Sequence, residues 1–410
     1  MNLHSFVTSN ARWLAGGLNL TFFGSFGQTF FIALFSEHLR RDFALTHGQF
    51  GSIYMLGTLA SAITLVFIGK VVDRYSVTQV STGVILALSA ACVVMASANS
   101  VITLVIAIYL LRLAGQGMMT HTAVTAMGRW FVAERGRALA ITGIGHQLGE
   151  TCFPFFVFTL LVVLPWRVVW LICAVVLLLI SLPVVLRCFG RDRTPQGYSV
   201  ANSEQGRQWT RREAVINPWF WAALIGILAP SFIGTSVWFH QVHLLDLKQW
   251  DTTVLVTGFA LMSATSVTTG LVAGHLVDRY SAYRLLPFTL LPLAVGCLLL
   301  SVASAPVALW VFMMLVGGCY GMNNAIFGAV WSEAYGTRHL GAIRSIVFAG
   351  MVLSSAIGPG LTGWLIDVGI GFETQLIAMS LGALIGAMVQ IPVSGRFVKQ
   401  VRENRLHQSG

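Results

Sequence analysis

Two ionisable residues stand deep inside apolar stretches of this sequence: Arg112 in RLAGQGMM and Glu150 in GIGHQLGETCFP. A charge at the centre of a bilayer-spanning helix costs about 2.5–3.5 kcal/mol on insertion scales. Side chains kept against such a cost are candidates for chemistry. Arg112 can grip a carboxylate through two parallel hydrogen bonds from its planar guanidinium, and Gln116 follows one turn later on the same face. Glu150 shares a helix face with His146, four residues earlier, and a carboxyl in low dielectric is suited to take up and release a proton. The chemistry expected is therefore anion docking at Arg112 and proton coupling at Glu150 with His146 assisting. A structural alternative stays open: the two charges can simply neutralise each other, or the carboxyl can bond a neighbouring helix.

Composition decides what must position these groups. The chain has 410 residues, 56% hydrophobic and 10% charged, whereas soluble domains carry about 25% charged residues. It is read as an all-α membrane protein, and its 41 glycines fit the close helix packing that small residues allow in lipid. The six cysteines show no CxxC spacing and lie in or beside apolar stretches. They are expected to pack, with no disulfide framework, metal site or cofactor. The first apolar stretch, 13–35, is longer than a signal-peptide core and lacks an Ala-x-Ala exit, so it is expected to stay as a span.

At about 20 apolar residues per crossing, twelve transmembrane helices are expected. They run over 13–35, 49–69, 77–98, 101–123, 138–164, 166–186, 218–242, 253–275, 285–303, 306–327, 341–368 and 374–392. A polar stretch separates the sixth from the seventh. This divides the chain into a bundle over 1–190, a cytoplasmic linker over 191–216, a second bundle over 217–396 and a basic tail over 397–410. With both termini inside, only Arg40, Arg41, Arg167 and Lys248 of the 25 Lys and Arg fall outside, and all but Arg112 of the rest face the cytoplasm. That bias sets the orientation and assigns the net charge of +10 to the inner membrane surface, which excludes a nucleic-acid partner.

The halves repeat. GKVVDRYS at 69–76 returns as GHLVDRYS at 274–281, and at the same offset Gly145 matches Gly350 and Pro154 matches Pro359. Two pseudo-symmetric six-helix bundles are a transporter architecture, with the cargo site near mid-membrane. The duplication also sorts residues. Pairs kept in both halves serve the scaffold, whereas Arg112 corresponds to Gly317, His146 to Met351 and Glu150 to Ser355. The fold does not require those charges.

The repeated G-x-x-x-D-R, the twelve spans and the central loop resemble the major facilitator superfamily over nearly the whole chain. The resemblance implies a conformational latch at Gly69, Asp73 and Arg74, repeated at Gly274, Asp278 and Arg279. It implies a monomer, with helices 1, 4, 7 and 10 lining a central cavity. RWFVAERGRALAITGIG (129–145), REAVINPWFW (212–221) and HLGAIRS (339–345) are similar to the branch of monocarboxylate and oxalate/formate transporters. Further substrate contacts are expected from Asn19 and Gln28 in the first span, Trp238 and Gln241 in the seventh, and Tyr320 and Asn323 in the tenth. Asn and Gln also glue helices together, so each can be structural.

No phosphate-cradling loop and no Ser/His/Asp or metal-spaced set occurs in the sequence, so no enzyme is expected. The expected function is alternating-access transport of a small organic anion, a monocarboxylate, with protons across a bacterial inner membrane. The alternatives are proton-driven efflux of drugs or metabolites, and a membrane sensor that moves no cargo.

Overall fold

The computed structural model describes residues 3–69, 71–131, 135–190, 208–336 and 339–406. Among the described residues, eleven helices are long and apolar enough to cross a membrane: His47–Ile68, Val77–Ala96, Val101–Trp130, Gly136–Val163, Trp166–Phe189, Pro218–Phe239, Thr252–Tyr280, Ala282–Val302, Val307–Tyr335, Ala342–Asp367 and Phe372–Gln400. The twelfth, first in the chain, is a bent pair, Ser5–Ala33 with Ser36–Asp42, turned by 64° at the break. The regular structure of the described residues is thus all helical, with up to twelve spans when the bent pair is counted as one.

Local sequence sets several starts. Thr46/Gln49, Ser76/Gln79 and Ser100/Thr103 form capping boxes at the heads of the second, third and fourth spans. Each side chain satisfies a backbone N–H that has no partner within the helix, worth about 1 kcal/mol.

Two compact units divide the chain: 1–200 with 238–243, and 201–237 with 244–410. The duplication is visible in both. Within the first unit, a Cβ on Gly145 would clash with the Leu18 carbonyl and the Thr21 hydroxyl of the first span. Within the second, Gly350 faces Leu224 and Leu228 of the seventh. Ser89 of the third span donates to the Ala174 carbonyl of the sixth at 3.1 Å. In the other unit Ser380 of the twelfth donates to Ala294 of the ninth at 2.7 Å. At the 205-residue offset Ala294 matches Ser89, and Ser380 matches Val175, the residue after Ala174, so a serine–carbonyl bond joins the third and sixth helices of each half at neighbouring positions with its donor on the opposite helix. Pro154 and Pro359 both lie inside helices at matching positions.

Three boundaries differ from the sequence expectation. The seventh span stops at Phe239, and a second helix, Gln241–Lys248, follows it. Of the linker at 191–216, residues 191–207 lie outside the described residues, but Arg211–Ile216 is helical, capped by Thr210 and Glu213. Just before it, Trp209 packs edge-on against Tyr335 at 5.4 Å. The tail expected over 397–410 continues the last helix through Leu406. Phe397 is buried there, against Tyr335 at 5.8 Å.

Candidate functional site

The site grows from two backbone irregularities that face each other in the first unit. The fourth span widens to a π-helix over Arg112–Met119, a feature that recurs at functional positions. The first span tightens to a 3₁₀ turn over Gly24–Gly27, then extends at Gln28 (φ −82°, ψ 156°). Glycine is needed at the meeting point: a Cβ on Gly115 would lie 2.7 Å from the Gly27 Cα. This close approach brings the Arg112 side chain onto the broken turn.

Arg112 is 1% exposed. Its Nη1 donates to the Gly27 carbonyl at 3.1 Å and to the Thr29 hydroxyl at 3.4 Å. Thr29 Oγ1 lies 2.6 Å from the Tyr54 hydroxyl, and the guanidinium carbon sits 5.2 Å from the centroid of the Tyr54 ring. Nε and Nη2 have no hydrogen-bond partner among the described residues. Those two nitrogens form one edge of the planar group, the edge a carboxylate grips with two parallel bonds. A buried cation with an open donor edge is costly until an anion fills it. Tyr54, in turn, lies 4.7 Å from Phe239, which stacks on Phe50 at 4.8 Å.

Glu150 and Arg112 do not pair. The ion-pair partner of Glu150 is His146, with Nε2 to Oε1 at 3.4 Å, so Arg112 is not the neutraliser of Glu150. Gln116, one turn beyond Arg112, is half-buried, as is Gln28. Asn19 is buried and donates to the Ser181 hydroxyl at 2.9 Å and its carbonyl at 3.3 Å. It joins the first span to the sixth, a structural bond. Gln241 is buried and donates to the Phe30 carbonyl at 3.0 Å, with its Oε1 left unpartnered among the described residues. Trp238 is buried beside it. In the second unit Tyr320 and Asn323 are half-buried. Asn323 makes a 3.7 Å contact to Cys319 Sγ, and its Oδ1 has no partner among the described residues.

At the expected latch, the Gly69 carbonyl lies 3.1 Å from His121 Nε2, and Arg129 donates to the Val72 carbonyl at 3.1 Å. Arg74 is exposed, and the Asp73 side chain lies outside the described residues. In the second unit a Cβ on Gly274 would meet nothing within 4 Å among the described residues. Asp278 is exposed, and Arg279 lies over the Tyr280 ring at 5.2 Å.

Sequence reasoning missed Tyr54, Thr29 and the Gly27–Gly115 contact. A tyrosine well inside the second span was the available signal for Tyr54. The glycine contact had none, because it depends on which helices meet.

The sequence profile of the Major Facilitator Superfamily matches residues 18–342 and 247–406, together nearly the whole chain. The chain belongs to the major facilitator superfamily. It is a multi-pass membrane transporter and not an enzyme. Among characterised proteins it is similar to the oxalate:formate antiporter of Oxalobacter formigenes, 23% identical over 302 residues, 72% of this chain and 71% of that protein. It is also similar to the gentisate transporter of Corynebacterium glutamicum, 23% identical over 364 residues, 85% and 80% of the two chains. The same fold occurs in a bacterial homologue of the human lysosomal transporter Spinster (TM-score 0.71, 16% identity, 95% of this chain and 98% of that one). It occurs again in the nucleoside transporter NupG (TM-score 0.64, 14% identity, 95% and 98%).

Proposed function

We propose that this superfamily member carries a small organic anion, a monocarboxylate, together with protons across the bacterial inner membrane, with both termini cytoplasmic. The observation that carries the proposal is the open Nε–Nη2 edge of Arg112, buried where no carboxylate of the described chain reaches it. A substrate carboxylate completes that edge, and Tyr54 and Thr29 hold the guanidinium in place while it does. Gln116 and Gln28 supply polar groups beside it, and Gln241, Trp238, Tyr320 and Asn323 are the further contacts proposed for the cargo. Glu150 takes the proton with His146 as its partner. The cargoes for which the two relatives are named, oxalate and formate in one and gentisate in the other, are carboxylates, which supports the substrate class. Gly69, Asp73, Arg74, Gly274, Asp278 and Arg279 are proposed as the latch of the cycle.

The test is a panel of carboxylates presented to protein reconstituted in liposomes, with internal pH recorded. A carboxylate that drives proton entry in the wild type and not in Arg112→Gln supports the proposal. Equal proton entry in the two proteins removes Arg112 from the docking role.

A further inference from the structure

Two side chains of the first unit are buried with complementary hydrogen-bonding groups left open. Arg112 keeps two donors, Nε and Nη2, without a partner among the described residues, and Gln241 keeps one acceptor, Oε1. Both residues are 1% exposed. The identity of the open atom on Gln241 is fixed by its other end. A main-chain carbonyl can only accept, so the group that meets Phe30 at 3.0 Å is the amide NH2, and the oxygen is left over.

A closed circuit of contacts places the two residues in one cluster. Arg112 Nη1 donates to Thr29 at 3.4 Å, and the Thr29 hydroxyl lies 2.6 Å from that of Tyr54. The Tyr54 ring lies 4.7 Å from Phe239, two residues before Gln241. Gln241 in turn bonds the carbonyl of Phe30, which follows Thr29 in the chain. Residues 238–243 belong to the first unit, so the whole circuit lies within it.

The open groups do not satisfy each other, although one is a donor edge and the other an acceptor. Gln in a span often serves only to glue helices together, and the bond to Phe30 does that with the amide nitrogen alone. Nothing in that role uses Oε1. A buried acceptor without a donor is penalised, the more so in a low dielectric. A molecule that completes both groups brings a carboxylate to Arg112 and a donor to Gln241. A second carboxylate has only acceptors to offer Oε1. An ammonium group has donors, but Arg112 is the charged member of the circuit and it is already positive. A neutral hydroxyl fits.

We propose that Gln241 is the specificity-determining residue of the cargo site: its Oε1 accepts from a hydroxyl on the cargo while the cargo's carboxylate takes the open edge of Arg112. The site then selects hydroxy-substituted monocarboxylates over their unsubstituted parents and over dicarboxylates. This rests on the docking reading of Arg112 and adds the second group that the cargo must carry.

The test is isothermal titration calorimetry on full-length protein in lipid nanodiscs with matched sets of acids. One set is propionate, lactate and 2-fluoropropionate, and the others are benzoate with its 3- or 4-hydroxy and fluoro forms. In at least one set the hydroxy acid should bind about tenfold or more tightly than its parent. The fluoro acid, close in size but unable to donate, should bind like the parent. In Gln241→Met the preference should fall below about threefold, whatever happens to the affinity of both acids. The fluoro comparison needs only the wild type, so it decides the matter if Gln241→Met does not fold. Parent and hydroxy acid binding alike in every set overturn the proposal and leave Oε1 to an internal water. So does a fluoro acid that matches the hydroxy acid, or a preference that persists in folded Gln241→Met. Arg112→Gln separates the two readings: loss of every acid there supports docking whichever way the hydroxyl comparison falls. A wild type that binds none of the acids overturns both.

Discussion

Gly27 and Gly115 meet with no side chain between them: a Cβ on either would lie 2.7–2.8 Å from the Cα of the other. The first and fourth spans are thereby held backbone to backbone where one is broken and the other widened. Gly27→Ala and Gly115→Ala are expected to destabilise the protein, since overpacking a close contact costs about 1–3 kcal/mol. They should also weaken cargo binding by displacing the carbonyl that holds Arg112. Gly83→Ala is the control, because a Cβ there meets nothing within 4 Å. Thermal midpoints in detergent that are equal for all three variants would remove the contact from any structural role.

Arg112 sets two measurements in opposition. A hydrogen bond to a charged group is worth about 1.5–3 kcal/mol, so Arg112→Lys, which keeps the charge but loses the two-pronged edge, should weaken carboxylate binding by about 10- to 100-fold. Arg112→Met should abolish binding and yet leave the cargo-free protein as stable as the wild type or more so. Replacing an incompletely paired buried charge with an apolar side chain of similar length is often neutral or stabilising. A large loss of cargo-free stability in Arg112→Met would mean that the guanidinium is a structural tie.

Glu150 and His146 carry the proton in the proposed cycle, paired at 3.4 Å on adjacent turns of one helix. Glu150→Gln should stop cargo-dependent proton entry while leaving exchange of cargo for cargo across the membrane. His146→Gln should retain proton entry with a displaced pH profile, because it assists and is not the carrier. Isotope exchange alongside internal pH recording separates the two steps, and loss of exchange in Glu150→Gln would assign that residue to binding.

The sequence made the architecture legible because hydropathy and the 205-residue repeat are properties of the chain itself. Arg112 and Glu150 stood out for the same reason, since a charge in an apolar run needs no partner to be noticed. Their partners were another matter. The sequence leaves open that Arg112 and Glu150 neutralise each other, but helix rotation decides contact, and the fourth span meets the first at the Gly27–Gly115 approach. Asn19 is the converse case: a polar residue expected among the substrate contacts is bonded to Ser181 of the sixth span. The break at 24–28 was hidden because Gly-Ser-Phe-Gly is as acceptable in a packed helix as in a turn.

Asn19 provides a contrast between stability and function. It is buried and bonds Ser181 twice, at 2.9 and 3.3 Å. Asn19→Ala should cost about 1–3 kcal/mol, the penalty for leaving a buried polar partner unsatisfied, and Asn19→Ser should recover part of it. Cargo affinity at saturating stability should not change. Altered affinity in a stably folded Asn19→Ala would return this residue to the cargo site.

Asp42 gives a pH dependence where the helix Ser36–Asp42 meets the start of the sixth span. The hydrogen bond from Trp166, then that from Arg167, holds its carboxyl below the ordinary value of 3.8. The folded state therefore favours the charged form, so this tie is fully present above the unfolded value and fades as pH falls through the lower folded one. The carboxyl is partly exposed, with Arg167 more so, and solvent screening keeps the effect small. Thermal midpoints recorded between pH 7 and pH 3 should show wild type above Asp42→Asn at neutral pH, with the gap narrowing below about pH 4 as the carboxylate is neutralised. A gap constant across that range would show that the charge on Asp42 contributes nothing to the tie, leaving the Trp166 hydrogen bond as its whole content.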